Sequence, residues 1–144
     1  MQLPLLLAAA TAITSSLAAP AGKSMMAADT PQWTIESFKR TCDSSDTSCD
    51  YSYSINTHTA DAVPCSYTVT GSPASQASYN NIQCGAFTVS SNWSGQFGPG
   101  NGFQTLAIVN EQSRLIAYPA YRDSQLVNGQ IVSPDQSYTP QNLP

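Results

Sequence analysis

A chain of 144 residues with a net charge of −4 and charged side chains at only 10% of its positions has no stripe of Lys and Arg able to displace counterions from a phosphate backbone, which excludes nucleic acid as a partner. Lys39-Arg40 is the one adjacent basic pair. Soluble domains usually carry charge at about a quarter of their positions, so solubility here rests on Ser, Thr, Asn and Gln, and the length suits one core that profits from covalent staples.

In chain order, apolar Leu3 to Ile13 followed by the small residues up to Gly22 match a secretory signal peptide and are too short for a membrane span of about 20 residues. Cleavage after Ala18 is expected, because a cut after Ala19 would place Pro20 directly beyond it. Residues 1–18 are thus read as a signal peptide, 19–31 as a flexible N-terminal tail and 32–144 as a single β domain. No later apolar run is long enough to span a bilayer, so no membrane span is expected.

The domain opens with Trp33 and Ile35 alternating against polar neighbours, until Phe38 breaks the parity and signals a bulge or a strand end. Turn formers between Cys42 and Cys49 come next. Tyr51, Tyr53, Ile55 and Thr57 then alternate with Ser52, Ser54 and Asn56, the clearest half-buried strand in the chain. Cys65, Tyr67 and Val69 repeat the period until Gly71-Ser72-Pro73 stops it. Two short segments, Ile82–Cys84 and Phe87–Val89, hinge at Gly85.

Gly98-Pro99-Gly100-Asn101-Gly102 predicts a sharp connection, and Phe103 to Val109 reads as a central strand covered on both faces. Glu111-Gln112-Ser113 turns the chain into a partner strand from Leu115 to Tyr118, with Pro119 as its exit. Asn128-Gly129, between Leu126-Val127 and Ile131-Val132, predicts a two-residue hairpin. From Ser133 the tail, with three prolines, should run extended over the surface. Short strands at this spacing predict an all-β fold, a small antiparallel β-sandwich or β-barrel stapled by two disulfides.

Cys42, Cys49, Cys65 and Cys84 contain no CxxC pair, which in an exported chain favours disulfides over zinc or a redox motif. Three pairings are possible. Cys42 with Cys49 and Cys65 with Cys84 ranks first, since neighbours in sequence close local hairpins at least entropic cost.

Catalytic chemistry finds little support. His58 is the lone histidine, in a turn with Asp61 three residues on; a small hydrolase centred on it needs a third group to orient the ring, and no G-x-S-x-G elbow is present. A ribonuclease-like set drawn from Glu36, Glu111, His58, Arg114 and Arg122 has no local pattern behind it, and carboxylate pairs for glycoside cleavage arise in any acidic chain. No catalytic residue is assigned. Asp43, Asp46 and Asp50 offer oxygen ligands but miss the calcium-loop spacing, and Pro99 removes a donor from what might be taken for a phosphate cradle. Neither a metal nor another cofactor is expected.

Two surface features stand out. Asn92-Trp93-Ser94 is the sole N-glycosylation sequon. Trp93, Phe97, Phe103, Tyr118 and Tyr121 form a candidate aromatic recognition patch, which supports an alternative reading as a carbohydrate- or small-ligand-binding module of the cell wall.

Four motifs then act together: W-T-I-x-x-F-K-R-x-C (Trp33 to Cys42), P-C-S-Y-T-V (Pro64 to Val69), W-S-G-Q-F-G-P-G-N-G-F (Trp93 to Phe103) and P-D-Q-S-Y-x-P (Pro134 to Pro140). Over nearly the whole mature length they resemble the fungal small secreted proteins of the hypersensitive-response-inducing elicitor type. More remotely, W-x-I-x-x-F, the later strand cysteine and Cys84-Gly85 resemble the Alternaria-allergen β-barrel family, which implies a Cys65–Cys84 bridge and an all-β fold. The resemblance implies a secreted effector that triggers plant cell death and defence, with no catalytic residues to carry across. The leading expectation is an extracellular protein of the plant apoplast or fungal cell wall recognised by a plant host receptor or apoplastic protein; cell-wall polysaccharide is a partner under the alternative reading.

Overall fold

The computed structural model describes residues 30–144. The expected signal peptide, and the tail apart from its last two residues, lie outside the described residues. Ten strands are formed: β1 (Trp33–Cys42), β2 (Ser48–Asn56), β3 (Val63–Thr70), β4 (Tyr79–Cys84), β5 (Phe87–Ser94), β6 (Phe103–Asn110), β7 (Leu115–Ala117), β8 (Ala120–Arg122), β9 (Gln136–Tyr138) and β10 (Gln141–Asn142). They build two antiparallel sheets, ordered β3-β2-β1-β9 and β10-β7-β6-β5-β4, with β8 also paired to β6. The fold is all-β, as the alternation predicts.

Each side of this sandwich is closed by a different device. On one side the disulfide Cys65–Cys84, with Cα atoms 5.3 Å apart, joins the outermost strand of the first sheet, β3, to the outermost strand of the second, β4. On the other side the C-terminal tail pairs as β9 with β1 and then, past Thr139-Pro140, as β10 with β7. Tyr138 on β9 also donates its hydroxyl to the Ala120 carbonyl of β8 at 3.3 Å. The tail is extended as expected, but it is a component of both sheets and no mere surface run. The second disulfide, Cys42–Cys49, links directly paired residues of β1 and β2 and locks the mouth of their hairpin.

The parity break at Phe38 is a bulge. The β1–β2 register shifts between Glu36 and Lys39, and Ser37 takes a φ of 55°, so Trp33, Ile35, Phe38 and Arg40 all face inward along one strand. Asp135 accepts the displaced Ser37 amide at 2.8 Å, and the Phe38 carbonyl accepts Val132 N–H at 2.9 Å. Tail and bulge therefore satisfy each other's backbone groups.

Aromatic rings fill the space between the sheets. Phe38 stacks on Tyr121 with centroids 4.0 Å apart and on Tyr53 at 5.0 Å, while Trp33 meets Phe87 edge-on at 5.4 Å. The Tyr53, Tyr67 and Tyr79 hydroxyls form a chain, with O···O distances of 3.0 and 2.7 Å. Burial pushes the phenols of Tyr51, Tyr53, Tyr67, Tyr79, Tyr121 and Tyr138 above the usual tyrosine range, because the low-dielectric interior disfavours the phenolate.

Two expectations require correction. β6 is central, between β5 and the β7–β8 pair, but only its inner side (Gln104, Leu106, Ile108) is fully buried. Phe103, Thr105, Ala107 and Val109 are half-buried on the outer face, screened by neighbouring side chains and not by a further layer. At Asn128-Gly129 both residues take the positive φ of a hairpin turn (57° and 66°), yet no strands flank it. Residues Val127–Gly129 form a 3-10 turn that closes through Gln130 N–H to the Val127 carbonyl. Leu126 and Val132 enter the core instead of pairing, and a Cβ at Gly129 would meet Thr41 Oγ1 at 2.8 Å, so the turn lies flush against β1.

Candidate functional site: a glycine-framed loop beside a buried arginine

The β5–β6 connection is organised by Trp93. On β5 it pairs with Gln104 and shares the inward parity of Val89 and Ser91, so its ring lies at the end of the core. A Cβ added at Gly95 or at Gly102 would come within 2.6 Å of that ring; only glycine admits the indole between the two arms of the loop. Gly98 and Gly100 serve a different need, φ values of 93° and 81° in the turn between them. This accounts for the tryptophan and the four glycines of the W-S-G-Q-F-G-P-G-N-G-F stretch.

The indole Nε1–H donates to Asp123 Oδ2 at 2.8 Å. Asp123 Oδ1 in turn accepts Arg40 Nη1 at 3.1 Å, and Arg40, only 7% exposed, donates also to Gln104 Oε1 at 3.0 Å and the Ser75 carbonyl at 3.1 Å. Gln104 further accepts the Tyr51 hydroxyl and donates to Ser91. One cation thus ties β1, β6, the 3-10 turn Ala74–Gln76 and the segment after β8. A buried guanidinium survives only when paired and hydrogen-bonded, and Asp123 and Gln104 supply that. In the sequence Lys39-Arg40 is only the one adjacent basic pair. The inward parity after Phe38 was the available signal that Arg40 differs from Lys39.

The five expected patch residues do not converge. Tyr121, 1% exposed, is a core residue stacked on Phe38, and Trp93 faces inward, so neither contributes an outward ring: a correction to the expected patch. Phe97, 66% exposed, stacks on Phe103 at 5.8 Å; with Asn101 and Arg122 they line an open concavity of about 480 Å³. Tyr118, 48% exposed, stands on the same outer face of the second sheet. The β6 register places it across from Ala107, four residues and so about 13 Å along the strand from Phe103. A stripe of Phe103, Ala107 and Val109 on β6 is flanked by Ile116 and Tyr118, with Asn92 exposed on β5 opposite Thr105.

The remaining candidates have local partners. His58 is exposed in the β2–β3 turn with a φ of 65°; its Nε2 lies 2.7 Å from Thr34 Oγ1, which lies 2.8 Å from Ser137 Oγ. Among the described residues no carboxylate bonds the ring, and Asp61 is merely exposed on the same turn. Asp43 accepts the Thr47 amide and hydroxyl, both at 2.7 Å, and these bonds hold its pKa below the usual carboxylate value. Asp46 binds Ser75, and Asp50 accepts the Thr68 hydroxyl at 2.6 Å. The three carboxylates thus serve three separate contacts. Cys42, Asp46 and Cys49 lie close together, but both sulfurs belong to the disulfide. Among the described residues no helix is long and apolar enough to cross a membrane.

A family model described as Effector TSP1 matches residues 34–143, from β1 to the last strand. Among known proteins, a chain named Effector TSP1 from Hypocrea virens (strain Gv29-8 / FGSC 10586) is 49% identical over 140 residues, which is 96% of this chain and 93% of that one. The matched range spans all four cysteines, most of β1 and the glycine-framed loop of this chain, and the chain belongs to the Effector TSP1 family.

Proposed function

We propose that the chain is exported by a fungus into the plant apoplast, where a host receptor or apoplastic protein recognises its folded surface and a hypersensitive defence response follows, with no substrate turned over. Membership of an effector family supports the first part. The observation that carries the recognition surface is the exposed Phe97–Phe103 stack beside Arg122, since aromatic rings and arginine are the side chains that most often anchor protein interfaces. Infiltration of purified protein into leaves tests it, with wild type beside Phe97→Ser, Phe103→Ser and His58→Ala variants shown to be folded by circular dichroism. The double aromatic change should abolish the response and the histidine change should leave it intact. Loss of the response in folded His58→Ala would instead favour a hydrolase centred on that residue.

A second reading, a module that binds cell-wall polysaccharide, draws on the open cavity of about 340 Å³ walled by Trp93, Gly95, Gly98, Pro99 and Gly102, because sugar rings pack well against an indole edge. Retention on chitin or glucan that Trp93→Phe weakens would favour it.

A further inference from the structure

The sole sequon and the apolar stripe occupy one face, and their register decides what the sequon is for. Asn92 and Ser94 are two apart on β5, so both project outward, while Trp93 between them turns in. Asn92 pairs directly with Thr105 and Ser94 with Phe103. Phe103 is therefore the diagonal neighbour of Asn92, at the roughly 7–8 Å over which cross-strand side chains still interact. Three other asparagines spend their side chains locally: Asn56 donates to Glu36, Asn101 to the Phe97 carbonyl, and Asn110 accepts the Gln112 and Ser113 amides; Asn80, Asn81, Asn128 and Asn142 lie in no N-x-Ser/Thr sequon. Asn92 is exposed, and its side chain has no hydrogen-bond partner among the described residues.

From this arrangement we infer that Asn92 carries an N-linked glycan whose first two N-acetylglucosamine units lie across β6, over Thr105 and against the Phe103 ring. The inference rests on the proposal that the chain is exported. The apolar C–H face of a pyranose suits an aromatic ring, and Phe103 is held in place by its stack with Phe97. Glycosylation forms an N-glycosidic bond between Asn92 Nδ2 and the anomeric carbon of a lipid-linked oligosaccharide, breaking the bond from that carbon to the phosphate oxygen, with the lipid diphosphate leaving and one Nδ2 proton lost to solvent. Ser94 Oγ accepts the Gln96 amide at 3.3 Å in the folded loop and keeps its own proton and a second lone pair. Occupied and unoccupied molecules would then present different surfaces: the glycan covers the stripe beside Phe103 and leaves the far side of Phe97 and Arg122 open.

The test uses the full chain behind a yeast secretion leader, so that its outcome is independent of any leaf response. Intact mass before and after peptide-N-glycosidase treatment should show a single glycan, absent from Asn92→Gln and from Ser94→Ala. A secreted protein of unmodified mass overturns the inference. Trimming to one sugar, then to none, should shift the amide resonances of Phe103, Thr105 and Ala120, and the gain in thermal midpoint from the glycan should vanish in Phe103→Ala. Shifts confined to residues 90–94, with the same gain in both backgrounds, would overturn the placement over β6.

Discussion

Removal of the Cys65–Cys84 bridge should cost more than removal of Cys42–Cys49, and the difference follows from chain statistics. The first bridge spans a sequence separation of 19 and the second a separation of 7. Closing those loops in the unfolded chain removes entropy equivalent to about 3.2 and about 2.4 kcal/mol at 25 °C, respectively. Native geometry pushes the same way, because Cys42–Cys49 staples two residues the β1–β2 ladder already pairs, whereas Cys65–Cys84 joins strands of different sheets. Alanine is the right replacement: Cys49, Cys65 and Cys84 are buried, and a serine hydroxyl there would add an unmet hydrogen bond. Urea unfolding of Cys42→Ala/Cys49→Ala and Cys65→Ala/Cys84→Ala should show both losses in that order. At roughly 4 °C per kcal/mol for a folded unit of this size, Cys65→Ala/Cys84→Ala should lower the melting temperature by about 13 °C. Equal losses, or the reverse order, would refute the loop-entropy reasoning and place the stabilisation in local hairpin geometry.

Three further outcomes are expected. Six phenols, four buried and two (Tyr67 and Tyr138) half-buried, have raised folded-state pKa values, so above about pH 10 the unfolded chain sheds protons that the native state keeps, and the unfolded state then binds fewer. Their contribution is complete below that pH and is lost as pH rises, by up to about 1.4 kcal/mol per pH unit for each phenol; denaturant midpoints measured upward from pH 8 should fall beyond pH 10, with phenolate absorbance appearing only as the protein unfolds. Arg40→Met should cost about 2–4 kcal/mol in urea unfolding, since it leaves Asp123, itself only 29% exposed, without its cation, while Gln104 keeps the Tyr51 hydroxyl. Asp123→Asn should cost at least as much, about 3–5 kcal/mol, because Arg40, only 7% exposed, loses its counter-ion and the amide NH2 then faces a donor, either the Trp93 indole or Arg40. A loss of about 1 kcal/mol or less for Asp123→Asn would refute the buried ion pair as what holds the loop.

How far the fold could be read from residues alone depended on whether the signal was local. Alternation in β2 and β3, the hinge at Gly85 and the exit at Pro119 are properties of a few neighbouring residues, and each was legible. Even the bulge at Phe38 was visible as a broken period. Asn128-Gly129 shows the limit: turn chemistry sets φ at two residues, but whether strands flank them depends on what else competes for Leu126 and Val132, and the core between the sheets wins. Two of the five patch residues turn inward for a related reason: strand parity divides aromatic residues that lie near one another in sequence, so Tyr121 follows Ala117 and Pro119 inward while Tyr118 follows Ile116 outward. Arg40 was the least legible, because its partners Ser75, Gln104 and Asp123 are 35, 64 and 83 residues away.

The closure of both sides of the sandwich constrains how any partner could engage this protein. Open sheet edges invite strand addition; the Cys65–Cys84 bridge and the run of the tail from β9 to β10 tie the two sheets together at their sides, but among the described residues the outer edges of β3, β4, β9 and β10 keep unpaired backbone groups. β9 is fastened by the Tyr138 and Asp135 contacts. The faces and loops are the other surfaces open to a partner. The outer face of the first sheet offers Ser, Thr and Asn groups, several already bonded to one another, such as Thr34 with Ser137 and Thr68 with Asp50; desolvating them returns little. The outer face of the second sheet offers apolar area, a pinned aromatic pair and one cation at its rim, so the larger gain from excluding water lies there. Substitutions that separate recognition from folding should therefore concentrate between Phe97 and Phe103 and around Arg122, where the rings touch one another and the glycine loop but not the core.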